Sequence, residues 1–192
     1  MNYESYKKKY SDLTNLIQEE FERNADKYGE KLKCRKGCSQ CCSQIFRITQ
    51  ADAFEIKKFL NECSEDKKSL LKNKATDYLS KQTAENSEPT EFHLLPKLPC
   101  PALDIEGECM IYEARPVICR RFGPPVYDYK NPHKLFACEL NFENGEEIID
   151  DDLITAQTKI GNLWDELKTE FNSGLAKKNI ASTTIAEAIL NS

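Results

Sequence analysis

The chain has 192 residues, 40% of them hydrophobic and 31% charged, with a net charge of −5. That composition supports a packed core, excludes an intrinsically disordered chain, and suits a single domain over residues 1–192. The acidic balance argues against nucleic-acid binding, no apolar run is long enough to cross a membrane, and Met1–Lys9 has no apolar export segment, so a cytoplasmic protein is expected.

Taken in chain order, Tyr6, Tyr10, Leu13, Ile17, Phe21 and Tyr28 recur at steps of three and four and predict a helix over 3–28, ended by Gly29. The cysteine-dense stretch 34–42 is too irregular and polar for a packed strand. Ile45–Ile48 reads as a short extended piece. Thr49, with Asp52 three residues on, predicts a capped helix with Ala53, Ile56, Phe59 and Leu60 on its apolar stripe. Residues 64–84 read as a second helix opened by Ser64, and 85–92 as a polar connector. In 99–113, two short apolar runs flank a turn with Asp104 and Gly107, which predicts a β-hairpin. Arg115-Pro116 opens a short helix through Arg121, ended by Gly123-Pro124-Pro125. Ile149, Leu153, Ala156, Ile160, Leu163, Leu167 and Phe171 mark a long helix within 147–173, with Trp164 in its core stripe, and Ser182 caps a last helix through Leu190. The expected fold is mainly α with a small β-hairpin. It comprises an N-terminal helix (1–29), a cysteine-cluster core (34–138) and C-terminal helices (147–192) that wrap it.

The seven glycines are too scattered for a Walker loop or a dinucleotide-binding fingerprint, both of which need close glycines so that backbone can approach phosphate. No Gly-x-Ser-x-Gly or His-Glu-x-x-His occurs, and the two histidines, His93 and His133, leave little room for a histidine-rich metal site. The chemistry lies in nine cysteines. Their odd number and the chain length do not suit a disulfide scaffold, and a cytosolic chain uses clustered cysteines for metal or redox chemistry. Four fall within nine residues as Cys34-x3-Cys38-x2-Cys41-Cys42, and Cys100, Cys109, Cys119 and Cys138 follow. Thiolates this close in sequence can reach one centre, and soft sulfur suits zinc or an iron–sulfur cluster equally. Arg35, Lys36 and Arg47, then Arg115, Arg120 and Arg121, surround these segments, while seven acids and no base lie between Glu139 and Asp152. The arginines are expected to offset thiolate charge, above all at Cys119.

These segments resemble the YkgJ-type cysteine-cluster family of zinc- or iron-chelating domains. The resemblance is carried by Cys34-x3-Cys38-x2-Cys41-Cys42, by Cys100-Pro101-Ala102-Leu103-Asp104, by Gly107-Glu108-Cys109-Met110-Ile111-Tyr112-Glu113-Ala114-Arg115-Pro116, and by Cys119-Arg120. It implies a bacterial metal-binding protein with eight ligand cysteines: Cys34, Cys38, Cys41, Cys42, Cys100, Cys109, Cys119 and Cys138. Tyr112 and Arg115 would pack and hydrogen-bond beside them. Cys63 falls outside the pattern, and Glu139-Leu140 follows Cys138 where many relatives carry Pro-Gly. The family is similar in turn to the flagellin lysine N-methylases, which implies an alternative reading as an iron–sulfur-dependent methyltransferase acting on a protein substrate. A second alternative is a thiol redox sensor built on Cys41 and Cys42. The spacing Cys34-x3-Cys38-x2-Cys41 also matches radical S-adenosylmethionine enzymes, but the strand–helix repeats of their partial barrel and paired glycines for the cosubstrate are missing.

Overall fold

The computed structural model describes residues 2–84, 98–128, 130–175 and 183–192. The described residues are mostly helical: α1 (Tyr3–Tyr28), α2 (Gln50–Glu62), α3 (Glu65–Ala84), α4 (Val117–Arg121), α5 (Asp151–Gly174) and α6 (Ile185–Leu190). Two antiparallel pairs of strands accompany them, β1 (Arg47–Ile48) with β4 (Thr183–Thr184), and β2 (Val126–Asp128) with β3 (Asn131–Phe136). The irregular α+β class expected from the sequence holds. The chain gathers into two compact units, one of residues 1–35 with 120–179 and one of residues 36–119 with 180–192.

The first unit is built on α1 and α5. Asn2 caps α1 by accepting from the Ser5 amide, and Gly29, at φ +52°, ends it as its position predicted. Tyr6 packs on Phe171 with ring centroids 5.1 Å apart, and Tyr10 meets Trp164 edge-on at 6.5 Å, so the two helices run antiparallel. Toward the C-terminal end of α1 the buried stripe turns polar. Phe21 is only half-buried, and Glu20 and Asn24 take the inward positions. Arg23 bridges Glu20 at 2.7 Å and Asp150 at 2.8 Å, which gives these buried groups partners. Helix α5 starts later than its apolar spacing predicted: Asp150 caps it, and Ile149 lies outside it, 67% exposed. Leu163 is left partly exposed, because the step from Ile160 to Leu167 runs through Trp164.

In the second unit α6 packs against α2 and α3. Both halves of the capping box predicted at Thr49 and Asp52 are present. A second box, Thr184 with Glu187, opens α6; the expected cap Ser182 and the connector 85–92 lie outside the described residues. The hairpin predicted over 99–113 is not a pair of strands. Leu103 and Cys109 form one isolated bridge, because the Asp104 carboxylate accepts from the Glu106 and Glu108 amides at 2.9 and 2.7 Å and closes the turn locally. The paired hairpin is β2–β3, in a stretch whose prolines disguise it in the sequence.

Candidate metal centre

The second unit holds Cys38, Cys41, Cys42, Cys63, Cys100, Cys109 and Cys119, and the first holds Cys34 and Cys138. None of them forms a disulfide; Cys138 is buried and the others are half-buried.

Gly37, at φ +87°, turns the chain before Cys38, and a 3-10 turn over Gln40–Ser43 places Cys41 and Cys42 at consecutive positions. The turn is closed by the Cys42 amide donating to the Ser39 carbonyl at 2.9 Å and the Gln44 amide to the Cys41 carbonyl at 3.1 Å. The Cys100 segment is tied directly to it, its amide donating to the Cys42 carbonyl at 2.6 Å. Past Cys100 the tight Asp104 turn carries the chain round to Cys109, and the Met110 amide donates to the Ala102 carbonyl at 2.7 Å. At the turn's apex a Cβ on Gly107 would lie 3.8 Å from both the Gly37 carbonyl and Ser39 Oγ, so the two cysteine loops touch. Lys74 of α3 donates to the Leu103 carbonyl and fixes the turn from outside.

Cys119 is brought in by α4. Asp52 sits at the first turn of α2, only 2% exposed, and does two jobs. One carboxylate oxygen accepts from the Thr49 amide and hydroxyl at 3.0 and 2.8 Å; the other accepts from the Val117 amide at 2.8 Å. The same side chain thus caps α2 and holds the start of the helix that carries Cys119.

The thiols of this unit act on one another. Burial pushes the Cys119 thiol up, and Cys100, Cys41 and Cys109 push the same way. Burial likewise drives Cys100 up to about 12, against the Ala102 amide, with Cys109 and Cys41 adding to it. Cys41 is raised first by its hydrogen bond with Cys42 and then by burial, with Arg115 opposing. At Cys119 burial and the neighbouring acidic groups therefore outweigh the arginine support expected from the sequence. The charges that act most on it are those of the neighbouring thiols and of Asp52, all pushing it up, and Arg121 donates to Gln157 at 2.8 Å. Arg115 lies 4.2 Å over the Tyr112 ring and acts on Cys41.

In the first unit the sulfurs meet protein dipoles. Asn141, 4% exposed, accepts from the Lys33 amide at 2.7 Å and donates to the Gly123 carbonyl at 2.6 Å and to Cys34 Sγ at 3.7 Å. The Cys138 amide donates to the same Gly123 carbonyl at 2.9 Å, and the Asn141 amide to the Cys138 carbonyl at 2.9 Å. Phe142, the next residue, takes a left-handed φ of +56°, held by its amide bond to the Lys31 carbonyl at 3.2 Å and by the Tyr28 ring 5.1 Å away.

Among the described residues, no three His, Cys, Asp or Glu side chains already converge at ligating distance from one point. The donor set nevertheless fits a soft metal: clustered, half-buried thiols that oppose one another's ionisation unless a cation neutralises them. His93 lies outside the described residues, as does the His133 side chain. Cys63 ends α2, its amide donating to the Leu60 carbonyl. Sequence reasoning found the Asp52 cap but not its reach to Val117. It did not find Asn141, whose only visible signal is its place three residues after Cys138.

The described residues include no helix long and apolar enough to cross a membrane. No curated protein and no solved structure matches the chain. A family model does match, over residues 33–138, and it is described as "Putative zinc- or iron-chelating domain". That span covers more than half of the chain and all eight cysteines of the expected ligand set, and the chain belongs to this CxxCxxCC family of metal-chelating domains.

Proposed function

We propose that the protein holds a thiolate-bound metal centre in its second unit, with Cys41, Cys100, Cys109 and Cys119 as the principal ligands and Cys38 and Cys42 beside them. Cys34 and Cys138 serve as thiolate ligands in the first unit. The observation that supports this reading is the joining of two cysteine loops and α4 within one unit, by the Cys100–Cys42 backbone bond, the Gly107 contact and the Asp52–Val117 bond. Four thiolates fill a tetrahedral shell, so a bound zinc would be structural, and an iron–sulfur cluster would supply electron transfer. What the chain itself supplies is soft donors, burial, and the Arg115 and Lys74 charges that offset thiolate charge at Cys41 and Cys100. The hydrogen bond between Cys41 and Cys42 favours a second reading, a thiol redox sensor.

Metal analysis and visible spectroscopy of anaerobically purified protein test the proposal. Zinc or iron at one or more per chain is expected. Protein that carries neither, with all nine thiols titratable, overturns the metal reading in favour of the redox one.

A further inference from the structure

The orientation of the Asn141 amide is fixed by its neighbours. Its oxygen faces a backbone donor, the Lys33 amide, and its nitrogen faces a backbone acceptor, the Gly123 carbonyl. A flipped amide would set oxygen against oxygen and N–H against N–H in a site only 4% exposed. The nitrogen has a second hydrogen to give, and Cys34 Sγ, 3.7 Å away, is positioned to take it. Sulfur is larger than oxygen, so this separation is a hydrogen-bonding one. On the other side, a Cβ at residue 123 would overlap Cys34 Sγ, and only a glycine lets the backbone come this close, at a φ of +122° that L side chains rarely adopt. Cys34 Sγ is therefore lodged between a bare backbone and an aimed N–H donor.

We propose that Asn141 is a positioning residue for Cys34, holding its sulfur as a metal-ligating thiolate through the side-chain N–H while Gly123 makes the space. This rests on the proposed function and extends it to a group that is not itself a ligand. An N–H donor stabilises a metal-bound thiolate and fixes which way its lone pairs face, and loss of such outer contacts costs roughly 10–100-fold in metal affinity.

The test is cobalt(II) titration of the reduced, full-length chain after metal removal, read by the sulfur-to-cobalt charge-transfer band, in a double-mutant cycle. Asn141→Asp keeps the acceptor for the Lys33 amide and replaces the donor. It should weaken cobalt binding by about tenfold or more and alter the band. In a Cys34→Ser background the same change should cost less than about twofold, because its target is gone. Asn141→Ala, with thermal melting recorded for each variant, serves where Asn141→Asp does not fold. If the Asn141 variants bind cobalt as the parent does, or lose as much affinity without Cys34 as with it, the positioning role is wrong. A parent chain that gives no charge-transfer band overturns the proposed function itself, and this inference with it.

Discussion

The α1–α5 pair and the loops that carry Cys41, Cys100 and Cys109 hold their shape by different means. The helix pair buries Tyr6, Leu13, Ile17, Leu153, Ile160 and Leu167, stacks two ring pairs, and closes each end with ion pairs: Lys9 with Glu166 and Glu170, Arg23 and Lys27 with Asp150. The loops bury isolated apolar side chains such as Ala102, Ile111 and Ala114 rather than a continuous stripe; Ile105 at the Asp104 turn is fully exposed and Tyr112 half so. Backbone hydrogen bonds and two carboxylates, Asp104 within the turn and Asp52 at the start of α4, set their course, and their thiols oppose one another's ionisation. A region of the first kind is complete in itself. A region of the second kind is completed by whatever neutralises the sulfurs.

The largest effect should come from removing metal. Small zinc domains draw roughly 10–16 kcal/mol of apparent binding energy from the metal. Chelation under reducing conditions should therefore lower the melting temperature by about 10 °C or more and open the 98–119 loops to protease, while cleavage within α1 and α5 stays slow. Mass-mapped limited proteolysis checks this, and equal cleavage of both regions would erase the contrast drawn between them.

Asp52→Ala breaks the carboxylate tie between α2 and the start of α4. It removes the carboxylate half of the α2 capping box and leaves the Val117 amide without its acceptor, at a cost of about 2–3 kcal/mol in denaturant unfolding. Metal content should fall with it, since α4 carries Cys119.

In the helix pair Asp150→Asn gives a smaller and pH-dependent loss. Burial works to raise the Asp150 carboxyl, but the bonds from Arg23 and Lys27 prevail and hold it below the ordinary carboxylate range. Its contribution is complete above the unfolded value of about 3.9 and fades as pH falls through the lower folded one. The parent should thus be more stable than Asp150→Asn by about 1–2 kcal/mol at pH 7, discounted for the half-exposed cations, with the gap closing below about pH 4. Paired melts across pH 3–7 measure it.

This contrast also explains how much was legible in the sequence. Apolar spacing reports burial against a neighbour, so α1, α2 and most of α5 could be read from it, Ser64 marked the start of α3, and Thr49 with Asp52 announced their own cap. Spacing says nothing where polar groups do the packing, which is why Glu20 and Asn24 displaced Phe21 from the buried face of α1. The cysteine pattern pointed to the chemistry. It could not show that Cys34 and Cys138 cluster with Asn141 in one unit while the other cysteines share the second, because that follows from backbone bonds between residues up to 108 positions apart. Charge counting along the chain also left out burial, which with the neighbouring thiols and Asp52 pushes Cys119 up.

Metal per chain, measured side by side on the parent, Cys119→Ser and Cys63→Ser after identical anaerobic purification, tests the assignment most directly. Cys63 ends α2 outside the family pattern, so Cys63→Ser should keep full stoichiometry and lose at most about 1 kcal/mol of stability. Cys119 stands among Cys41, Cys100 and Cys109, and a hydroxyl is a poor, hard replacement for a soft thiolate, so Cys119→Ser should lose metal or show an altered spectrum. If the two variants lose metal equally, or if Cys119→Ser keeps all of it, the proposed centre is wrong.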